Sequence, residues 1–247
     1  MRWTVLGSGA GKITAERSPA SHLLETDNGK MYLFDAGDGA TKKLYSIGKN
    51  PSSLDALFIS HLHPDHWGGF PLLIQTMHLE KRCSPLPVFV PEEGITTLRR
   101  MLEMGYLFKE ILEFEIRFLP ILKNPLLSDG GITISAYPTR HLKKYFPLGH
   151  LHPANLMESF CFRIEAGEKT IVYSADLAAV DDITEAADTG GELLVMEGMH
   201  TKREELEPFL KFHPFSHIVI THIPPNNKSW KDEDNIIISY DGFYIEI

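Results

Sequence analysis

Cysteine is scarce: the 247 residues hold two, Cys83 and Cys161, neither in a metal or redox spacing. A disulfide framework is not expected, and both thiols are expected to be buried and free, as suits a reducing cytoplasm. Long apolar runs are missing too. None approaches the roughly 20 residues of a membrane helix, and the opening "MRWTVLGSGAGK" lacks a signal-peptide core and reads as a first strand. A soluble, cytoplasmic protein is expected. Positive charge is also short, with 24 Lys and Arg against 33 Asp and Glu and a formal net charge of −9. A generic nucleic-acid binder shows a basic face instead, so long nucleic acid is disfavoured as a partner, while a local basic pocket is not. No Pro/Gly/Ser-rich linker divides the chain. Residues 1–247 are therefore expected to form one domain, and 43% apolar residues suffice for a sizeable core.

What is present is an alternation of short β-rich runs, turn signals and helical patterns. "WTVLG", "SHLLET", "KMYLFDAG" and "LDALFIS" read as strands, with a helix near residues 38–48. "GGFPLLIQTMHLEK" reads as a helix with Pro71 in its first turn, where proline is tolerated. "LPVFVP" then reads as a strand and "GITTLRRMLEMGY" as a helix. The second half repeats this grammar: "FEIRFLP", "GITISAYPT", "SFCFRIEAGEKTIVYSAD", "LLVMEG", "HIVITHI" and "NIIISYDGFYIEI" as strands or hairpins, with helices near 181–188 and 203–211. The class is layered α/β.

Against this background "ISHLHPDHWGGF", residues 59–70, stands apart, because His61, His63, Asp65 and His66 crowd into six positions where a strand runs out. Imidazole nitrogen and carboxylate oxygen are the donors that borderline divalent metals such as zinc prefer. Four such groups exceed what one tetrahedral ion takes from a single loop, so two neighbouring ions are expected. Three further residues end β-rich runs in the same way: His141 after "ITISAYPTR", Asp176 after "TIVYSA" and His222 after "HIVIT". Catalytic groups commonly sit on loops that a rigid sheet positions.

With these residues the sequence resembles the metallo-β-lactamase superfamily, whose H-x-H-x-D-H signature stands here as "HLHPDH", followed in order by "TRH", "YSAD" and "THI". The resemblance implies an α/β fold, a four-layered αββα sandwich of two mixed β-sheets flanked by helices. It also implies two divalent ions, zinc, manganese or iron. His61, His63 and His141 would hold the first, Asp65, His66 and His222 the second, and Asp176 would bridge them. Within the superfamily the chain is similar to the ribonuclease Z-like branch, through "VLGSGAG", "RSPASHLLE", "LFDAGDG" and "SFCFRIEAGEKTIVYSAD". Two departures matter. Only 34 residues separate His141 from Asp176, too few for the branch's basic exosite arm, and in "VMEGMH" Met196 replaces a histidine while Glu197 is retained.

The implied activity is metal-dependent hydrolysis by a hydroxide shared between the ions. The expected substrate is a small or cyclic phosphodiester or an oligonucleotide end, and transfer-RNA processing is disfavoured. Asp65 would orient the attacking water. His200 would donate a proton to the leaving group or, with Glu197 and Lys143, bind substrate; a solvent-facing His200 is the other reading. The stretch at 141–155 reads as a mobile rim, in which Lys143 or Lys144 favours an anion and His150 and His152 line the pocket or face solvent. "GSGAGK" at residues 7–12 fails both phosphate-loop templates and reads as a turn beside the metals, while 226–235 reads as a polar loop. A hydrolase of an ester, lactone or thioester is the nearest alternative. A non-catalytic carrier or sensor of a small molecule is the alternative of another class. A homodimer and the absence of membrane attachment complete the expectations.

Overall fold

The computed structural model describes residues 1–121, 125–227, 229–233 and 235–247. They form two compact units, one of Met1–Pro120 with Tyr240–Glu246, the other of Ile121–Ser239 with Ile247. Strands and helices are numbered along the chain.

The first unit holds β1 (Arg2–Gly7), β2 (Ser21–Glu25), β3 (Met31–Ala36), β4 (Ala56–Phe58), β5 (Leu86–Val90), β6 (Ile116–Pro120) and the last strand, β14 (Phe243–Glu246). They form one sheet in the order β14-β1-β2-β3-β4-β5-β6. From β14 to β3 the pairing is antiparallel and from β3 to β6 it is parallel. Connection type sets this switch. A short turn joins β2 to β3, whereas the helices α1 (Ala40–Ser46), α3 (Phe70–Leu79) and α4 (Glu92–Met104) supply the crossovers that parallel neighbours require. Pro71 lies in the first turn of α3, as expected.

Leu33, Leu57 and Val88 lie side by side across β3, β4 and β5 and pack with Leu73, Ile74, Met77 and Leu98 from the helices. Their neighbours Phe34, Phe58 and Phe89 form a row of stacked rings on the opposite face, with centroids 4.9 and 4.8 Å apart. Both faces are buried, which is why these strands read as continuous apolar runs rather than as alternation.

The second unit holds β7 (Leu127–Asp129), β8 (Ile132–Pro138), β9 (Phe160–Ala166), β10 (Lys169–Tyr173), β11 (Gly191–Glu197), β12 (Phe215–Thr221) and β13 (Ile236–Ile238). Their order is β13-β12-β11-β10-β9-β8-β7. Here the antiparallel part comes first, from β7 to β10, and the parallel part follows, from β10 to β13. Gly167, with φ 61°, turns the chain between β9 and β10, a conformation a hairpin turn asks for and glycine adopts freely. The 3-10 turn Val180–Ile183 with α5 (Thr184–Ala187) links β10 to β11, and α6 (Arg203–Phe212) links β11 to β12. The core of this unit includes Cys161, Val172, Leu177, Leu194, Leu206 and Ile218.

One detail differs from the sequence reading. Cys161 is buried and its thiol is pushed up to about 12 by that burial, but Cys83 is exposed, because it sits in the turn after α3 with its thiol on the Lys81 carbonyl. Residues His141–Leu148 form 3-10 turns. Within the polar segment 226–235, Lys228 and Asp234 lie outside the described residues. Among the described residues no helix is long and apolar enough to cross a membrane.

Candidate functional site

The first unit presents its chemistry at the C-terminal ends of its parallel strands, where open α/β sheets hold their ligands. After β4 the chain passes through Ile59 and Ser60 to His61 and His63, and Pro64 then opens the single turn α2 (Pro64–Trp67), carrying Asp65 and His66. The fixed φ of proline suits a first helical position, so this turn folds the four candidate ligands back on one another. Two close approaches hold it in place. A Cβ on Gly69 would lie 2.3 Å from the Gly37 carbonyl, and one on Gly37 would lie 2.4 Å from the Asp65 carbonyl. Only glycine permits both. The Trp67 indole N–H donates to the Leu62 carbonyl at 3.0 Å. Gly11, in the turn after β1, stands against the Asp65 carboxylate, where a Cβ would come within 3.3 Å of Oδ2.

The buried Asp35, at the end of β3, organises the histidines. Its Oδ1 accepts the Ser60 N–H at 2.7 Å, and its Oδ2 accepts the Ser60 hydroxyl at 2.9 Å and stands 2.8 Å from His66 Nδ1. His66 Nδ1 is thereby the protonated nitrogen, which leaves a lone pair on Nε2. Ser60 works the same way on His61: its proton goes to Asp35, so its oxygen accepts from His61 Nδ1 at 3.0 Å and leaves Nε2 as the acceptor. His61 Nε2 in turn faces His63 Nδ1 at 3.0 Å, and His66 Nε2 lies 3.6 Å from Asp65 Oδ2. Lone pairs and a carboxylate brought this close suit divalent cations, with a buried carboxylate behind the ligating imidazoles.

The second unit repeats the arrangement. His141 follows β8, Asp176 follows β10 and His222 follows β12, each nearly fully buried. His141 Nδ1 donates to the Leu177 carbonyl at 3.3 Å, which leaves Nε2 to face Asp176 Oδ2 at 3.5 Å. His222 Nε2 approaches the same oxygen at 3.3 Å. Two imidazoles thus converge on one carboxylate oxygen. The backbone here is strained: Ala175 and His222 have φ of 47° and 50°, and Asp35 in the first unit has 57°. Left-handed non-glycine residues persist where the surroundings over-determine them, commonly at working sites.

His200 lies just past β11, its ring centroid 4.9 Å from that of His141 and its Nδ1 4.0 Å from Asp176 Oδ2. Glu197 ends β11 and is buried. Its Oε2 accepts the N–H groups of Met199 and His200 at 2.7 and 2.8 Å, and its Oε1 faces His200 Nδ1 at 3.4 Å. Glu197 thus holds the backbone and ring of His200. The hydrogen bond to Glu197 pushes the His200 imidazole above its usual range, burial opposes this, and the charges of Glu197 and Asp176 add to the rise.

Lys143 is exposed and lines a groove with Arg140, Asp181, Asp182 and Glu185. The neighbouring Lys144 is the one whose charge reaches His200, where it works against protonation. His150 and His152 are exposed, with His150 Nδ1 on the Pro147 carbonyl at 3.1 Å. Asp35 and Ser60 carried no expected role, although Asp35 in "LFDAGDG" satisfies the same strand-end rule that singles out Asp176.

A family model described as "Anti-Pycsar protein Apyc1" matches residues 1–237. The chain belongs to this family. Relatives of this Apyc1-family chain include ribonuclease Z of Methanosarcina acetivorans, 26% identical over 305 aligned positions that cover 100% of this chain and 98% of that protein. Ribonuclease Z of Pyrococcus abyssi is 37% identical over 115 positions, covering 47% of this chain and 37% of that protein, so the match spans about a third of that relative. Among solved structures, human tRNase Z, short form, superposes with a TM-score of 0.81 at 19% identity, covering 100% of this chain and 99% of that one. That likeness bears out the expected fold class, two mixed sheets flanked by helices. The relatives bear out the expected likeness of the Apyc1-family chain to ribonuclease Z.

Proposed function

We propose that the chain is a dinuclear metal-dependent phosphodiesterase acting on a small cyclic phosphodiester of the cyclic-nucleotide kind. The observation that carries this reading is the donor set: each unit brings imidazole nitrogens and carboxylate oxygens to the C-terminal ends of its strands, with tautomers set for ligation. Following the superfamily pattern, His61, His63 and His141 would hold one ion and Asp65, His66 and His222 the other, with Asp176 serving both. Zinc suits these donors best, and manganese or iron also fits. When bound, the ions would lower the pKa of water towards neutrality and act as Lewis acids on substrate oxygens.

The remaining chemistry belongs to side chains. Asp65 accepts a hydrogen bond from the attacking water and aims it. His200, oriented by Glu197 and biased towards its protonated form by that carboxylate, donates its proton to the departing oxygen. Lys144 favours the phosphate anion at the rim, a part for which Lys143 is less well placed.

The small substrate is supported by what the chain does without. The alignment to the Methanosarcina protein is longer than this chain, so that relative holds segments absent here. The interval between His141 and Asp176 is 34 residues, and the net charge of −9 discourages a long polyanion. The test is a panel of metal-loaded protein with 3′,5′-cyclic nucleotides, bis-p-nitrophenyl phosphate, a precursor transfer RNA, a lactone and a glutathione thioester. Turnover of the cyclic nucleotides and the aryl diester is expected. Turnover confined to the carbonyl substrates, or to the transfer RNA, overturns the proposal.

A further inference from the structure

Between β10 and α5 the chain makes a 3-10 turn, Val180–Ile183, in which Asp182 has a side chain only 2% exposed. A carboxylate is seldom buried this far unless its oxygens are fully engaged. The partners of Asp182 are unusual in where they lie. Its Oδ2 accepts the Arg140 backbone N–H at 3.2 Å and the Ala178 backbone N–H at 2.8 Å, and its Oδ1 accepts the Arg140 Nε–H. Arg140 immediately precedes His141, and Ala178 stands two residues beyond Asp176. One carboxylate therefore ties the segment carrying the third histidine to the segment carrying the bridging aspartate.

Other contacts close the same seam. His141 Nδ1 meets the Leu177 carbonyl at 3.3 Å, and Thr139 Oγ1 donates to the Asp176 carbonyl at 3.3 Å. Asp182 differs from these in charge and in number of bonds. It takes two backbone donors and a guanidinium, each a charge-assisted bond of the stronger kind. Asp181 holds the other end of the Arg140 guanidinium, so the arginine is pinned across both acids while remaining 45% exposed on its outer side.

We propose that Asp182 is a positioning residue, a carboxylate clamp that sets the 3.5 Å approach of His141 Nε2 to Asp176 Oδ2 and thereby the metal affinity of that pair. The inference rests on the reading of His141 and Asp176 as ligands. The clamp touches neither ligand side chain. It works through the peptide groups on either side of them, which distinguishes it from the hydrogen bonds that ligands themselves make.

The experiment measures zinc dissociation constants by chelator competition for the wild type, Asp182→Asn, Asp182→Ala and a control, Leu206→Ala. The control removes buried side-chain volume in α6 of the same unit without touching the clamp. Loss of groups that orient metal ligands costs about 10- to 100-fold in metal affinity, and Asp182→Ala is expected in that range. Asp182→Asn keeps an oxygen for the two backbone N–H groups but turns an amide towards the guanidinium, so it should fall between wild type and alanine. Should Asp182→Ala fail to fold, Asp182→Asn alone carries the comparison. Zinc affinity of either folded variant within twofold of wild type overturns the clamp, and so does an equal loss in Leu206→Ala. Failure of the wild type to bind zinc would instead remove the ligand reading beneath it.

Discussion

His200 is the residue on which the proposed chemistry makes its sharpest demand. A positioned proton donor contributes roughly 10²- to 10⁴-fold to rate where the leaving group needs a proton. His200→Ala should therefore lose that much in kcat on a cyclic nucleotide, whose leaving group is an alkoxide, and far less on bis-p-nitrophenyl phosphate, whose phenolate departs unaided. Equal losses on both substrates would assign His200 to binding instead. Asp35 tests the support beneath the ligands. Asp35→Ala leaves the Ser60 N–H and His66 Nδ1 without their buried acceptor, so stability should fall by about 3 kcal/mol and metal affinity by about 10- to 100-fold. Urea unfolding and chelator competition measure the two effects separately. The candidate ligands were legible in the sequence because they crowd together or end strands. Asp35 and Ser60 were not, since their importance lies in contacts to His66 and His61 that only folding creates, Asp35 standing 31 residues from His66. Lys143 and Lys144 were equivalent in sequence, and only the folded chain shows that the charge of Lys144 bears on His200.

Among the elements, the turn after β4 is held by close backbone approach rather than by large side chains. Gly69→Ala would drive a Cβ to 2.3 Å from the Gly37 carbonyl, so backbone must move, at a cost of about 3 kcal/mol; thermal unfolding should show it together with weaker metal binding. The turn before β14 is anchored by charge. Burial alone would push the Asp241 carboxyl up, but hydrogen bonds from Ser18 N–H at 2.8 Å and Ser8 N–H at 3.0 Å, joined by Lys43 Nζ and the Ser8 hydroxyl, outweigh it and hold the group below the usual carboxylate range. The sign follows: the stabilisation is fully present above the unfolded value of about 3.9 and is lost as pH falls through the lower folded value. Asp241→Asn should therefore cost about 2 kcal/mol at neutral pH and flatten the acid limb of the stability profile, as urea unfolding between pH 3 and 7 would show. Most strands were legible because both faces of the sheets are buried and the runs are apolar throughout. β7 and α2 were not, being three and four residues long, too short for a period to register. The turns at His141–Leu148 also escaped notice, because Pro147 and two lysines read as loop.

For the whole molecule, the two units share a plan: each sheet joins an antiparallel part to a parallel part and sets candidate ligands where strands end. The sequence announced the reaction class more clearly than the substrate, because donor identity is written in the residues whereas substrate selection depends on rim and surface. The central claim, two ions jointly required to open a cyclic phosphodiester, is tested most directly by titrating metal-free protein with zinc while following hydrolysis of a 3′,5′-cyclic nucleotide. The account predicts a rate that rises to a plateau at about two equivalents per chain and vanishes on chelation. A full rate at one equivalent, or no hydrolysis with two ions bound, contradicts it.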